Sequence, residues 1–166
     1  MNVFEISIAS EKDIPIIQSI TADVWPQTYS PIISKEQIDY MLNEMYSTTA
    51  LQHQLNEGHR FLIVRKDETA IGFCSFGVDK KAGDYKLHKL YIRLTEQSRG
   101  AGSVLLEEVI RLVKEQGGKH LFLQVNRYNT KAIQFYQFHH FIIEEELDLN
   151  IGNGFQMNDY IMGIRF

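Results

Sequence analysis

A glycine turn between two strongly patterned runs constrains this chain more than any other feature. Residues 85–92 read as a strand, then comes Gln97-Ser98-Arg99-Gly100-Ala101-Gly102, then an apolar face of Leu105, Leu106, Val109, Ile110, Leu112 and Val113 that ends at Gly117-Gly118. The pattern is strand, tight turn, helix. Such a turn aims several backbone N–H groups at one point, at the positive end of a helix, and that point suits a phosphate. Lacking a Cβ, Gly100 and Gly102 would let phosphate oxygens approach the main chain, and Arg99 adds a positive charge beside them. The turn alone is also compatible with a plain strand-to-helix connection. No Gly-Lys-Ser/Thr follows, which excludes a P-loop, and Leu105 stands where a dinucleotide fingerprint needs its third glycine.

The flanking pattern narrows the fold. Residues 4–9 alternate apolar and polar, a first strand. Ser10-Glu11-Lys12-Asp13 resembles a capping box and opens a helix with Ile14, Ile17, Ile20 and Val24, which Pro26 is expected to stop near Trp25. Ser34-Lys35-Glu36-Gln37 is a capping box ahead of Ile38, Met41, Leu42 and Met45, and Ser47 can cap a further short helix. Residues 61–64 and 71–78 are strands, as are residues 121–125. Asn129 can cap a short helix holding Ala132, Ile133, Phe135 and Tyr136. Residues 141–149 and 160–164 form a closing strand pair around a glycine-flanked Asn153. Three successive strands before the central helix argue against a doubly wound nucleotide-binding fold, which alternates strictly. A mixed sheet with helices on its faces is expected.

Bulk properties bound the function. A chain of 166 residues is expected to form one domain, residues 1–166, with a proper core. A net charge of −4 argues against a dedicated nucleic-acid binder and mildly favours cationic or neutral acceptors. Cys74 is the only cysteine, so no intrachain disulfide can form. No apolar run approaches membrane-span length and the start lacks a secretion signal, so a cytoplasmic protein with no membrane partner is expected.

Taken together, Gln97-x-x-Gly100-x-Gly102, the preceding Leu90-Tyr91-Ile92 and the later Asn129-x-x-Ala132-x-x-Phe135-Tyr136 resemble the signature of the GCN5-related N-acetyltransferase (GNAT) family. The resemblance is strongest over residues 85–141. Within the family the chain is most similar to the bacterial spermidine/spermine-type (PaiA-like) members. It implies an α/β (α+β) fold whose mixed, mostly antiparallel sheet of six or seven strands splays between strands 4 and 5, flanked by about four helices. It also implies an acetyl-CoA-dependent N-acetyltransferase without a metal, acting on a primary amine in a ternary complex. The amine is expected to be a small one, such as a polyamine; a peptide amine, or a non-catalytic CoA-binding module, are the alternatives. A homodimer through the C-terminal strands is a common family arrangement.

Residue by residue, the resemblance puts the cofactor's pyrophosphate on the turn from Gln97 through Ser98, Arg99, Gly100, Ala101 and Gly102 to Ser103, and its pantetheine arm along Leu90, Tyr91 and Ile92. The Leu90 amide would face the thioester carbonyl and stabilise the charge developing on its oxygen, a contribution of roughly 3 kcal/mol in comparable sites. Asn129 would bind the cofactor near its arm, and Tyr136 would donate a proton to the departing thiolate. Trp25 and Tyr29 would border the acceptor.

The general base is open. Histone-modifying members place a glutamate where this chain has Lys86. His88, two residues before Leu90, is expected on the same strand face and could accept a proton. Glu144, Glu146 and a water chain remain alternatives. Plain structural roles compete throughout. Asn129 suits an N-cap, Tyr136 and Trp25 suit core packing, Cys74 suits a small buried side chain, and His139-His140 suits a solvated helix end.

Overall fold

The computed structural model describes residues 3–97 and 99–166. Strand β1 (Phe4–Ile8) leads into three helices, α1 (Ile14–Tyr29), α2 (Lys35–Tyr46) and α3 (Thr48–Asn56). Strands β2 (Arg60–Lys66), β3 (Thr69–Val78) and β4 (Asp84–Ile92) follow, then α4 (Ala101–Glu115), β5 (His120–Asn126), α5 (Thr130–Phe138), β6 (Ile142–Gly152) and β7 (Phe155–Arg165). The strands form a seven-stranded sheet in the order β1-β2-β3-β4-β5-β7-β6. Every neighbouring pair is antiparallel except β4–β5, which is parallel.

Both faces of the sheet are covered, which explains the unbroken apolar run in β2. Leu62 and Val64 pack with Leu105, Leu106 and Val109 of α4. Phe61 and Ile63 pack with Ile17, Ile20 and Trp25 of α1. Close approach of β3 and β4 depends on Gly72. A Cβ there would fall 2.8 Å from the Tyr91 carbonyl oxygen and run into the Ile92 side chain. Gly72→Val is therefore expected to destabilise the protein by about 2–4 kcal/mol, read as a lower urea midpoint.

The helical region departs from expectation in two places. Helix α1 continues through Pro26 to Tyr29. Pro26 surrenders its own N–H, but its carbonyl accepts from Ser30 N–H at 3.0 Å, and burial of Val24, Trp25 and Tyr29 holds the last turn in place. Ser47 caps the further short helix expected there, α3. It adopts an extended conformation and its hydroxyl accepts from the Ala50 amide. The Ser34 box is only half made. Its hydroxyl accepts from the Gln37 amide, but the Gln37 side chain donates to the Gln156 carbonyl at 2.8 Å instead of turning back. Long-range packing of the β6–β7 hairpin on α2 outcompetes the local bond.

The hairpin joining β6 and β7 turns at Asn153-Gly154, both at positive φ. Among the described residues, no helix is long and apolar enough to cross a membrane.

Candidate active site

The parallel pair β4–β5 is short. Backbone pairing covers Asp84–Leu87 against His120–Leu123 and stops, although β4 runs on to Ile92 and β5 to Asn126. Beyond Leu87 the two strands part. A cavity of about 550 Å³ opens in the fork, lined on one side by Leu90, Tyr91 and Ile92 and on the other by Leu123, Gln124 and Val125. The splay expected between strands 4 and 5 is thus the site itself.

One end of the cavity is the glycine turn. Gly100, the N-cap of α4, has φ 96°, a left-handed conformation that favours glycine. The first helical bond of α4 runs from the Val104 amide to the Gly100 carbonyl at 3.0 Å. The amides of Ala101, Gly102 and Ser103 therefore precede the helical ladder, and the first turn carries no acidic side chain. Gly100, Gly102 and Ser103 line the cavity; Arg99 is exposed and Ala101 is buried in the core. Ser98 lies outside the described residues. Gln97 braces the turn, donating to the Ile92 carbonyl at 3.0 Å and accepting from Lys131 Nζ at 2.7 Å. Lys131 brings a second cation to this end and was not singled out in the sequence, where it looks like any exposed helix lysine.

Helix α5 closes one wall. The Asn129 side chain accepts from the Ala132 amide at 3.3 Å, so it caps the helix and lines the cavity together. Tyr136 is 8% exposed and lines the cavity too. Burial pushes its phenol pKa up, so the hydroxyl keeps its proton over the whole working range. His139 is held rather than solvated: its Nε2 lies 2.8 Å from the Ser103 hydroxyl, and its ring meets Phe135 edge-on.

The opposite end is aromatic and polar. The Tyr29 and Tyr91 hydroxyls are 3.1 Å apart and both residues line the cavity. Trp25 packs behind them, its ring 4.5 Å from Tyr29 and 6.0 Å from Tyr91. Trp25 is 2% exposed and does not line the cavity. Of the two expected acceptor contacts, the structure brings only Tyr29 to the site.

The expected facing of His88 is overturned. Pairing with β3 shifts between Ser75↔Lys89 and Phe76↔Leu87, so His88 is the extra residue of a β-bulge. The bulge breaks the alternation. Leu87, Leu90 and Ile92 pack on the α4 side, while the His88 ring stacks on His59 at 4.0 Å, beside Gly77. Burial first, then the neighbouring His59, Lys86 and Lys89, holds His88 down to about 3. Its imidazole is a weak base at any working pH. His88→Gln is therefore expected to leave the shape of the pH–rate profile unchanged, checked by following thiol release from pH 5 to about 9. His88 still contributes to the cavity lining, whereas Glu144 and Glu146 do not. Glu144 bonds His120 at 2.9 Å and Glu146 lies 3.4 Å from Arg127. Cys74 is fully buried, as a small core side chain.

The cavity thus lies in a splayed parallel strand pair and is lined by the glycine turn, by Asn129 and the buried phenol of Tyr136, and by the Tyr29–Tyr91 hydroxyl pair. The family model for the acetyltransferase (GNAT) family matches residues 17–141. The chain belongs to that family and is an acetyl-CoA-dependent N-acetyltransferase. The spermidine N(1)-acetyltransferase of Thermoplasma acidophilum is 28% identical over 146 residues, covering 85% of this chain and 89% of that one. The crystal structure of the PaiA N-acetyltransferase from Thermoplasma acidophilum in complex with coenzyme A superposes with a TM-score of 0.85 at 26% identity, over 99% of both chains. A GCN5-related N-acetyltransferase from Rhodopseudomonas palustris shares the fold, with a TM-score of 0.84 at 18% identity over 100% of this chain and 98% of that one. Among the described residues, no group of three or more His, Cys, Asp or Glu side chains is placed to hold a metal.

Proposed function

We propose that this protein acetylates a primary amine of a small cationic acceptor, such as a polyamine, and that residues 1–166 act as one catalytic domain. The observation that carries the reading is the set of groups that share the cavity. The glycine turn and Lys131, then Leu90 and Tyr136, and the Tyr29–Tyr91 hydroxyl pair all line the one cavity. The name of the Thermoplasma relative and the net charge of −4 both favour a cationic acceptor.

Acetyl-CoA supplies the activated acetyl thioester. The amides of the glycine turn and Lys131 hold its phosphates. Leu90, Tyr91 and Ile92 offer the strand edge along which its arm lies, and Asn129 steadies it from α5. The Leu90 amide faces the carbonyl oxygen where negative charge develops. Tyr136, protonated throughout, donates to the sulfur as the C–S bond breaks, and the amine's released proton restores the balance through water. Much of the rate comes from holding amine and thioester together. Of the groups considered as a base, Glu144 and Glu146 lie outside the cavity and His88, which lines it, is too weak a base, so a water chain is the reading for deprotonating the amine. A cytoplasmic location and a homodimer along the outer edge of β6 complete the reading.

CoA release, followed with a free-thiol reagent over a panel of amines, tests it. Turnover confined to small cationic amines supports it. Tight acetyl-CoA binding with no turnover of any amine would overturn it in favour of a CoA-binding module. Turnover only with peptide amines would move the acceptor to that class.

A further inference from the structure

Asp159 is a buried carboxylate that neither the fold nor the steps above use. It is 7% exposed, and its Oδ1 has no hydrogen-bond partner among the described residues. The nearby cations pair with other groups, although Arg127 Nε has no partner among the described residues. Lys86 Nζ donates to Gln124 Oε1 at 2.6 Å, and Arg127 pairs with Asp148 and Glu146. A buried, unpaired carboxylate destabilises a fold unless something arrives to pair with it.

The topology sets Asp159 just past the β5 wall of the cavity, outside its lining. It pairs in register with Asn126, next to the cavity-lining Gln124 and Val125. Its charge acts on Tyr29, whose hydroxyl also faces Asn129. Extending the parallel register beyond Leu87↔Leu123 brings Leu90 level with this part of β5, across the fork. Strand β7 is two strands from β4, so Asp159 stands about 10 Å from the Leu90 main chain, more where the strands splay. That offset is too long for one nitrogen to touch both, and it suits two nitrogens joined by a short methylene chain.

We propose that Asp159 binds a second, non-reacting ammonium group of the acceptor and so selects short diamines and polyamines over monoamines. The inference rests on the acetyl transfer proposed above and names the residue that sets its specificity. Burial raises the Asp159 carboxyl to about 6, against the pull of Arg127 from one side and Lys86 from β4. It is therefore ionised at and above neutral pH, ready for a cation, and loses that charge in mild acid.

The test uses the whole protein, acetyl-CoA, butylamine and 1,4-diaminobutane. The wild type is expected to prefer the diamine. Asp159→Asn should cut kcat/KM for the diamine about 100-fold, mainly through KM, the size of a lost charge-assisted contact. It should leave butylamine turnover and acetyl-CoA affinity unchanged, and Asp159→Glu should restore part of the loss. Melting curves of the variant report its folding. The raised carboxyl lowers wild-type stability as pH climbs from about 4 through 6, so Asp159→Asn should melt above the wild type near pH 8 and close to it near pH 4. A diamine preference that survives in Asp159→Asn, or a wild type indifferent to the second nitrogen, overturns this inference alone. Absence of turnover with every amine overturns the acetyl-transfer reading with it.

Discussion

Tyr136→Phe is expected to lower kcat about 100-fold or more while acetyl-CoA still binds, a loss typical of removing a positioned proton donor. The substitution removes one oxygen and keeps the ring. The ring packs edge-on against Phe135, at 5.2 Å between centroids, and lies 5.7 Å from Phe141. Among the described residues the hydroxyl has no hydrogen-bond partner to lose, so stability should move by less than about 1 kcal/mol. A fall in rate without a fall in melting temperature separates the chemical role from core packing, the competing reading of a tyrosine beside a phenylalanine. The pH profile adds a second readout. Burial raises the phenol, so Tyr136 contributes no alkaline limb below about pH 10, and removing it should lower the whole profile without moving its limbs. Equal rates for wild type and variant would remove Tyr136 as the donor.

Gly102→Glu is expected to weaken acetyl-CoA binding by about 100-fold or more, measured by calorimetry or by KM. A carboxylate some 5 Å from a bound phosphate costs about 3 kcal/mol per phosphate charge at an effective dielectric near 20. It also fills the seat itself, because Gly102 lines the cavity. Gly102→Ala is the control. A Cβ there would lie 3.4 Å from the Phe135 ring and 3.7 Å from Ile92, ordinary contacts. The alanine variant should therefore fold as the wild type does and bind acetyl-CoA with only a modest loss. A glutamate variant that binds as tightly as the alanine variant would remove the phosphate from this turn.

Much of the fold was legible because its signals are local. The alternation of β1, the apolar stripe of α4, the caps at Ser34, Ser47 and Asn129 and the Asn153-Gly154 turn each depend on residues within one turn or one strand of each other. The glycine turn belongs with them, since φ 96° at Gly100 follows from the need to swing from strand to helix in a few residues. Where expectation failed, a contact distant in sequence had overridden a local rule. Pro26 should end a helix, but burial of Trp25 and Tyr29 against β3 and β4 carries α1 past it. Gln37 should close its own cap, but the Gln156 carbonyl of β7 offers an acceptor.

By itself, then, the sequence determined that a phosphate-seating turn joins a strand to an amphipathic helix, and that Asn129 and Tyr136 follow on a second helix. Only the tertiary structure decided what surrounds that turn. Side-chain facing along a strand can be read from a period of two only until a bulge intervenes, and the bulge at His88 shows itself in the pairing of β4 with β3. The company a carboxylate keeps depends on which strands lie beside it. Asp159 pairs with Asn126, and its charge reaches Tyr29, only because β7 inserts between β5 and β6, a choice made by packing across the whole sheet.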